Sequence, residues 1–270
     1  MNEKVLVLSG HYPVSHWQAH TNHKIFSGLL GFDYIHAAHA TSAKDPYMHK
    51  INWVSEYLNL YDYVFWIDDD SYFLDFQSED AQYLMSAPVG FFLASRTELQ
   101  GVPIPPINSA FFGLRATPKA FELLSLTRRI TENEVSANWS IGDGHRYGGD
   151  QDRLWAAFKK LELDKSNDLE LVYNLSLNGR FQDLAKPKMK SAMKILHLTG
   201  KSNKKWKKLR KAVRVLETGN GLVPSFALSN YPSLQRGQHR IIASRMADHP
   251  GLHPISKLIP RKLLLALGGK

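Results

Sequence analysis

Three adjacent carboxylates, Asp68-Asp69-Asp70, directly follow the apolar run Tyr63-Val64-Phe65-Trp66-Ile67. Carboxylates this close repel one another unless a cation neutralises them. A hard divalent cation such as Mn2+ or Mg2+ takes oxygen ligands, commonly one or two carboxylates together with substrate phosphates. If the segment stays extended, Asp68 and Asp70 point one way and Asp69 the other, which makes Asp68 and Asp70 the natural ligand pair. The alternative is a solvated acidic turn. A second cluster runs Leu196-His197-Leu198-Thr199-Gly200-Lys201 and on into Asn203-Lys204-Lys205-Trp206. A neutral imidazole at the end of a buried strand can complete a metal shell. Gly200 would let backbone approach a phosphate, and the lysines behind it could balance a diphosphate. The alternative here is a core histidine followed by a basic helix face. The third cluster is Gly148-Gly149-Asp150-Gln151-Asp152. It presents polar side chains at a helix start, where anionic or hydroxyl-rich ligands are well received. Asp150 or Asp152 would cap such a helix without any ligand.

The elements that must position these clusters alternate between strand and helix. Residues 4–10, 32–38, 62–70, 89–95 and 107–115 read as strands, the third running straight into the acidic triplet. Helical spacing covers residues 17–30, 47–60 and 118–130, the last with Pro118 in its first turn. A helix follows the 142–152 loop, and residues 169–177 and 194–200 supply the last strands. This alternation predicts an α/β fold with a largely parallel central sheet flanked by helices. In such sheets ligands bind at the carboxyl ends of strands, where the acidic triplet sits.

The chain has 270 residues and no cysteine. Disulfides, thiolate metal sites and cysteine nucleophiles are therefore excluded. No apolar run reaches the roughly 18 residues of a membrane span, and the N-terminus reads as a strand rather than a signal peptide. A cytoplasmic protein is expected. The net charge of +9 is uneven: residues 1–183 carry −8, whereas residues 184–216 carry 12 basic side chains and no acidic one. Trp206, Leu209, Val213 and Leu216 lie among Lys204, Lys205, Lys207, Lys208, Arg210, Lys211 and Arg214, a basic amphipathic helix. A second such segment runs from Ile255 to Leu267. These suit an anionic membrane surface, here the inner membrane face, or equally a solvated helix packed on the body. Two units are expected, residues 1–216 and a basic C-terminal extension, residues 217–270.

The order of these motifs resembles the GT-A glycosyltransferases, and most closely the retaining family 8 and family 34 enzymes, glycogenin and the galactosyltransferases of the yeast mannan type. The likeness spans roughly residues 1–210. Lys50, 18 residues before Asp68, matches the lysine upstream of the D-x-D element, and Tyr61 through Asp70 resembles the strand that ends in it. Asn108-Ser109-Ala110-Phe111-Phe112 resembles the strand on the acceptor side, with Ala110 where glycine is frequent. Asp150-Gln151-Asp152 resembles the D-Q-D of the sugar pocket. His197 through Trp206 resembles the segment that closes over the diphosphate, one residue longer and with Lys205 in place of proline.

The resemblance implies a nucleoside diphosphate sugar as donor, a UDP-hexose for preference, with Mn2+ or Mg2+ as cofactor and a glycan or glycolipid as acceptor. Asp68, Asp70 and His197 would hold the metal. Ser9, Gly10 and Tyr12 would hold base and ribose, with Lys50, Asp68 and Asp69 beside them. Gly200 and one of Lys201, Lys204 and Lys205 would meet the phosphates. Arg96, Asn108, Ser109, Asp150, Gln151 and Asp152 would hold the sugars, with Asp150 and Gln151 nearest the chemistry. Two rivals compete. A basic nucleic-acid-binding protein accounts for residues 184–216 but not for the acidic triplet, so nucleic acid is not the favoured partner. A metal-dependent nuclease or phosphotransferase accounts for carboxylates and lysines but not for the acceptor-strand and D-Q-D elements.

Overall fold

The computed structural model describes residues 3–12, 19–74, 77–94, 98–99, 102–103, 106–146, 148–172, 176–178, 193–198, 202–216, 218, 222–223 and 227. In chain order the strands and α-helices are β1 (Val5–Gly10), α1 (His20–Leu30), β2 (Asp33–Ala37), α2 (His49–Tyr57), β3 (Tyr63–Ile67), β4 (Ser71–Phe73) and α3 (Ser78–Leu84). Then come β5 (Gly90–Ala94), β6 (Glu98–Leu99), β7 (Val102–Pro103), β8 (Ile107–Arg115), α4 (Pro118–Arg129), α5 (Glu132–Ala137) and α6 (Asp150–Lys160). The last are β9 (Leu169–Val172), β10 (Ser176–Asn178), β11 (Ile195–His197) and α7 (Ser202–Leu216).

Six strands form the main sheet in the order β2-β1-β3-β8-β5-β9. β1 runs parallel to β2 and β3, and β5 parallel to β9. β8 is antiparallel to both of its neighbours. Apolar runs do not encode strand direction, because a strand covered on both faces is apolar throughout whichever way it points.

Alternation along each strand splits the core into two layers. Leu6, Leu8, Val64, Trp66, Phe92, Phe112 and Leu114 face α2, α4 and α6, where Ile51, Trp53, Leu123, Leu124, Leu154 and Phe158 complete one cluster. Val5, Val7, Tyr63, Phe65, Ile67, Phe91 and Phe111 face the other way, towards Phe73 and the α3 residues Ala81 and Leu84. Fully burying each large apolar side chain contributes about 1.5–3 kcal/mol. A sheet covered on both faces is therefore rigid, and its strand ends make a firm platform.

A second sheet, β10-β11-β4, lies beyond the end of β3. The run 169–177 is thus two strands in two sheets rather than one strand. Tyr72 and Leu196 from this sheet, with Leu198 just after it, pack with Leu209 and Ala212 of α7 and with Leu222. Val223 and Ala227 pack on Ile25 of α1. The amphipathic segment around 255–267 lies outside the described residues. Among the described residues no helix is long and apolar enough to cross a membrane.

Candidate active site

β3 ends at Ile67, and the chain turns rather than staying extended. Ser71 N donates to Asp68 O at 3.0 Å, closing a turn over the acidic triplet. Asp68 and Asp70 still converge, because backbone on three sides fixes the turn. Asp68 N donates to Ala110 O at 2.8 Å, Ala19 N to Asp69 O at 2.9 Å and Leu198 N to Asp70 O at 3.0 Å. Asp69 is turned inward and buried.

The same turn leads into β4, and this brings in the distant histidine. β4 pairs antiparallel with β11, placing His197 opposite Ser71. One ligand atom each from Asp68, Asp70 and His197 then falls within 4.8 Å of the others. His197 Nε2 lies 3.2 Å from Asp70 Oδ1 and 3.9 Å from Asp68 Oδ2. Two carboxylates and one imidazole on a rigid strand end are a donor set that fits a divalent cation. Trp66 was not singled out from the sequence, yet its Nε1 donates to Asp68 Oδ1 at 2.7 Å and fixes that carboxylate. An indole two residues before an aspartate on one strand face was the available signal.

Lys50 reaches the site from α2. Its Nζ lies 2.9 Å from Asp68 Oδ1 and 2.8 Å from Asp150 Oδ2, and donates to Ser109 O at 3.1 Å. Burial pushes its pKa down, but Asp150 and Asp68 outweigh burial and hold it above the ordinary lysine value. Asp70 is pushed up by burial and pulled down further by His197 and Lys205, so it stays below the usual carboxylate range. His197 is lowered by burial, but Asp70 and Asp68 win and raise it above the ordinary value.

A bulge interrupts the pairing of β5 with β8 beside Asn108 and Ser109. β5 pairs Phe92 with Phe112 and then Leu93 with Asn108, so residues 109–111 of β8 have no partner on β5. Asn108 Oδ1 accepts from Ala110 N at 2.9 Å within this bulge. Ser109 N donates to Gln151 Oε1 at 3.3 Å, tying β8 to the start of α6. That start depends on Gly149, which has φ +92°. A Cβ there would also sit 3.2 Å from the Tyr47 ring. Asp152 is 1% exposed, and its carboxylate accepts from Gly148 N at 2.7 Å, so it faces inward and ties down the loop before α6.

The first strand is placed beside this group. Ser9 is buried, with Oγ 2.9 Å from Tyr34 OH and 3.0 Å from His36 Nδ1. A Cβ on Gly10 would meet Ala37 O at 2.5 Å, so only glycine allows β1 and β2 to approach as they do. Tyr12 is partly exposed, and its ring meets His49 edge-on at 5.3 Å. On α7, Lys205 pairs with Asp70, while Lys204, Lys207, Arg210, Lys211 and Arg214 are exposed. The structure thus brings Lys50, Asp68, Asp70, Ser109, Asp150, Gln151, His197 and Lys205 into one group. Arg96, Gly200 and Lys201 lie outside the described residues.

No protein-family model matches the chain, and no curated protein matches it. Among solved structures, the crystal structure of a glycosyltransferase involved in the glycosylation of the major capsid of PBCV-1 is similar. It has a TM-score of 0.52 over 76% of this chain and 98% of that chain, at 14% identity. This chain has a glycosyltransferase fold. Within that fold, the Asp68–Asp70–His197 group occupies the strand end at which α/β sheets receive ligands.

Proposed function

We propose that the chain is a metal-dependent glycosyltransferase that moves a hexose from a nucleoside diphosphate sugar, with UDP the favoured carrier, to a saccharide or lipid-linked acceptor with retention. The observation that carries this reading is the convergence of Asp68, Asp70 and His197 at one strand end of a glycosyltransferase fold. The resemblance to family 8 and family 34 enzymes supplies the donor class and the stereochemistry.

In this reading Asp68, Asp70 and His197 hold Mn2+ or Mg2+, which when bound supplies Lewis-acid stabilisation of the diphosphate leaving group. Ser9, Gly10 and Tyr12 line the base and ribose side, and Asp69 braces the turn beneath. Lys50 holds Asp68 and Asp150 at fixed separation, so the metal side and the sugar side keep one geometry. Asp150 and Gln151 hold the donor sugar, and the carboxylate of Asp150 stabilises positive charge developing at the anomeric carbon. Asn108 and Ser109 shape the acceptor side, while Asp152 shapes the loop before α6. Gly200 and one of Lys201, Lys204 and Lys205 are assigned to the phosphates, where a lysine's charge matters most as the bond to the leaving group breaks.

Residues 1–216 form the catalytic unit, and residues 217–270 are its basic extension. The cationic face of α7, with Trp206 37% exposed, lies against an anionic membrane, a peripheral place at the cytoplasmic face. Co-sedimentation with vesicles rich in phosphatidylglycerol, reversed by salt and absent with phosphatidylcholine alone, is the expected result.

A thermal-shift panel of nucleoside diphosphate sugars with Mn2+, Mg2+ or EDTA tests the donor. Ligands that bind the folded state raise the melting temperature by mass action. A rise with one sugar nucleotide that needs the metal and disappears in Asp70→Asn is expected. No rise with any of them, beside a salt-sensitive rise with DNA oligonucleotides, would replace this reading with nucleic-acid binding.

A further inference from the structure

The carboxylates that would hold the metal already carry cations of the chain itself. Asp68 Oδ1 is held by Lys50 at 2.9 Å. Asp70 has both oxygens engaged: Oδ1 lies 3.2 Å from His197 Nε2, and Oδ2 pairs with Lys205 Nζ. Lys205 is 18% exposed in this arrangement, and α7, which carries it, is anchored by buried Leu209 and Ala212. The Lys205 ammonium therefore stands on one oxygen of a ligand carboxylate, from a fixed helix and on a long side chain that can turn away. Asp68, Asp70 and Asp150 bring three negative charges, and Lys50 and Lys205 already offset two of them. A divalent cation arriving alone meets carboxylates whose charge is already partly offset and competes with a lysine for Asp70. A diphosphate arriving with it brings the negative charge that the evicted lysine needs.

We infer that Lys205 is the resident counter-cation of Asp70, displaced by the divalent metal and then taken over by the diphosphate, so that metal and diphosphate bind as a coupled pair. The inference rests on the metal site proposed above. Coupling of this kind is reciprocal: the metal strengthens the diphosphate as much as the diphosphate strengthens the metal. Removing Lys205 must then have opposite effects on the two. It relieves the metal of a competitor and deprives the diphosphate of a partner. A role in stability alone would move both in the same direction.

Isothermal titration of the full chain with Mn2+ alone, and with inorganic pyrophosphate at saturating Mn2+, reads both effects. Lys205→Met is expected to bind Mn2+ alone about tenfold more tightly than the unsubstituted chain, and pyrophosphate with Mn2+ about tenfold more weakly, the size of one charge-assisted contact. Lys205→Gln serves if the methionine variant does not fold, and Lys207→Met, on the exposed face of α7, is expected to change neither. Both affinities unchanged, or both weakened, would overturn the role of Lys205 while leaving the metal site standing. No Mn2+ binding to either the unsubstituted chain or Lys205→Met would remove the metal site and this inference with it.

Discussion

Trp66 Nε1 donates to Asp68 Oδ1 at 2.7 Å, from a ring that is itself only 1% exposed. The core thus extends into the site: a side chain locked by packing holds a carboxylate that has work to do at the surface. Groups that orient metal ligands commonly matter by 10- to 100-fold in metal affinity. Trp66→Phe keeps most of the apolar volume and removes the donor. Mn2+ affinity measured by titration calorimetry should fall about tenfold, with the circular dichroism of the folded chain unchanged.

Lys50 bridges Asp68 and Asp150 with little exposure. Lys50→Met leaves the buried Asp150 carboxylate facing the partly exposed Asp68 carboxylate with no cation between them. Breaking a buried pair in this way costs about 3–5 kcal/mol. The urea midpoint should drop accordingly, and Lys50→Met with Asp150→Asn should recover part of the loss, because one of the two uncompensated charges is gone.

Gly149 has φ +92° and ψ −156° directly before α6. A residue with a Cβ is strained there at a cost on the order of 1–3 kcal/mol, and it also meets Tyr47. Gly149→Ala should lower the melting temperature and loosen the Gln151 to Ser109 contact. Sugar-nucleotide binding should weaken by more than the change in stability alone produces.

Much of this architecture was legible in the sequence, for reasons that differ from residue to residue. Val5 to Gly10, Tyr63 to Ile67 and Ile107 to Arg115 are buried almost throughout because the sheet is covered on both faces, so their apolar stretches stand out. Ser71 to Phe73 and Glu132 to Ala137 are too short to show a period and were not anticipated. Asp68, Asp70 and His197 were paired by motif order, yet the reason first given for Asp68 and Asp70, an extended strand, is replaced by a turn closed onto Ser71. Periodicity says nothing of a turn held by Ala110, Ala19 and Leu198, which are remote in sequence. The bulge opposite Leu93, which turns Ser109 towards Lys50, is invisible for the same reason.

His23, bonded to the residue that follows Asp70, supplies a pH test. It is fully buried, its Nε2 donates to Ser71 O at 2.8 Å, and burial pushes its pKa down to about 3. Unfolding returns it to an ordinary value near 6.5, so between these values the unfolded chain binds more protons. The stability tied to neutral His23 is complete above about pH 6.5 and is lost as pH falls towards 3, at up to about 1.4 kcal/mol per pH unit. His23→Gln keeps a donor for Ser71 O. Urea unfolding from pH 7 to pH 4 should show a shallower loss of stability in the variant than in the unsubstituted chain.

In the proposed function Asp68, Asp70 and His197 act on a nucleoside diphosphate sugar through a divalent cation. Release of nucleoside diphosphate from UDP-hexoses, followed with Mn2+ present and then with EDTA, tests it most directly. Slow Mn2+-dependent release from one UDP-hexose is expected, abolished by EDTA and reduced at least about 100-fold in Asp70→Asn while the variant stays folded. Release that persists in EDTA, or that Asp70→Asn leaves at the unsubstituted rate, would contradict it.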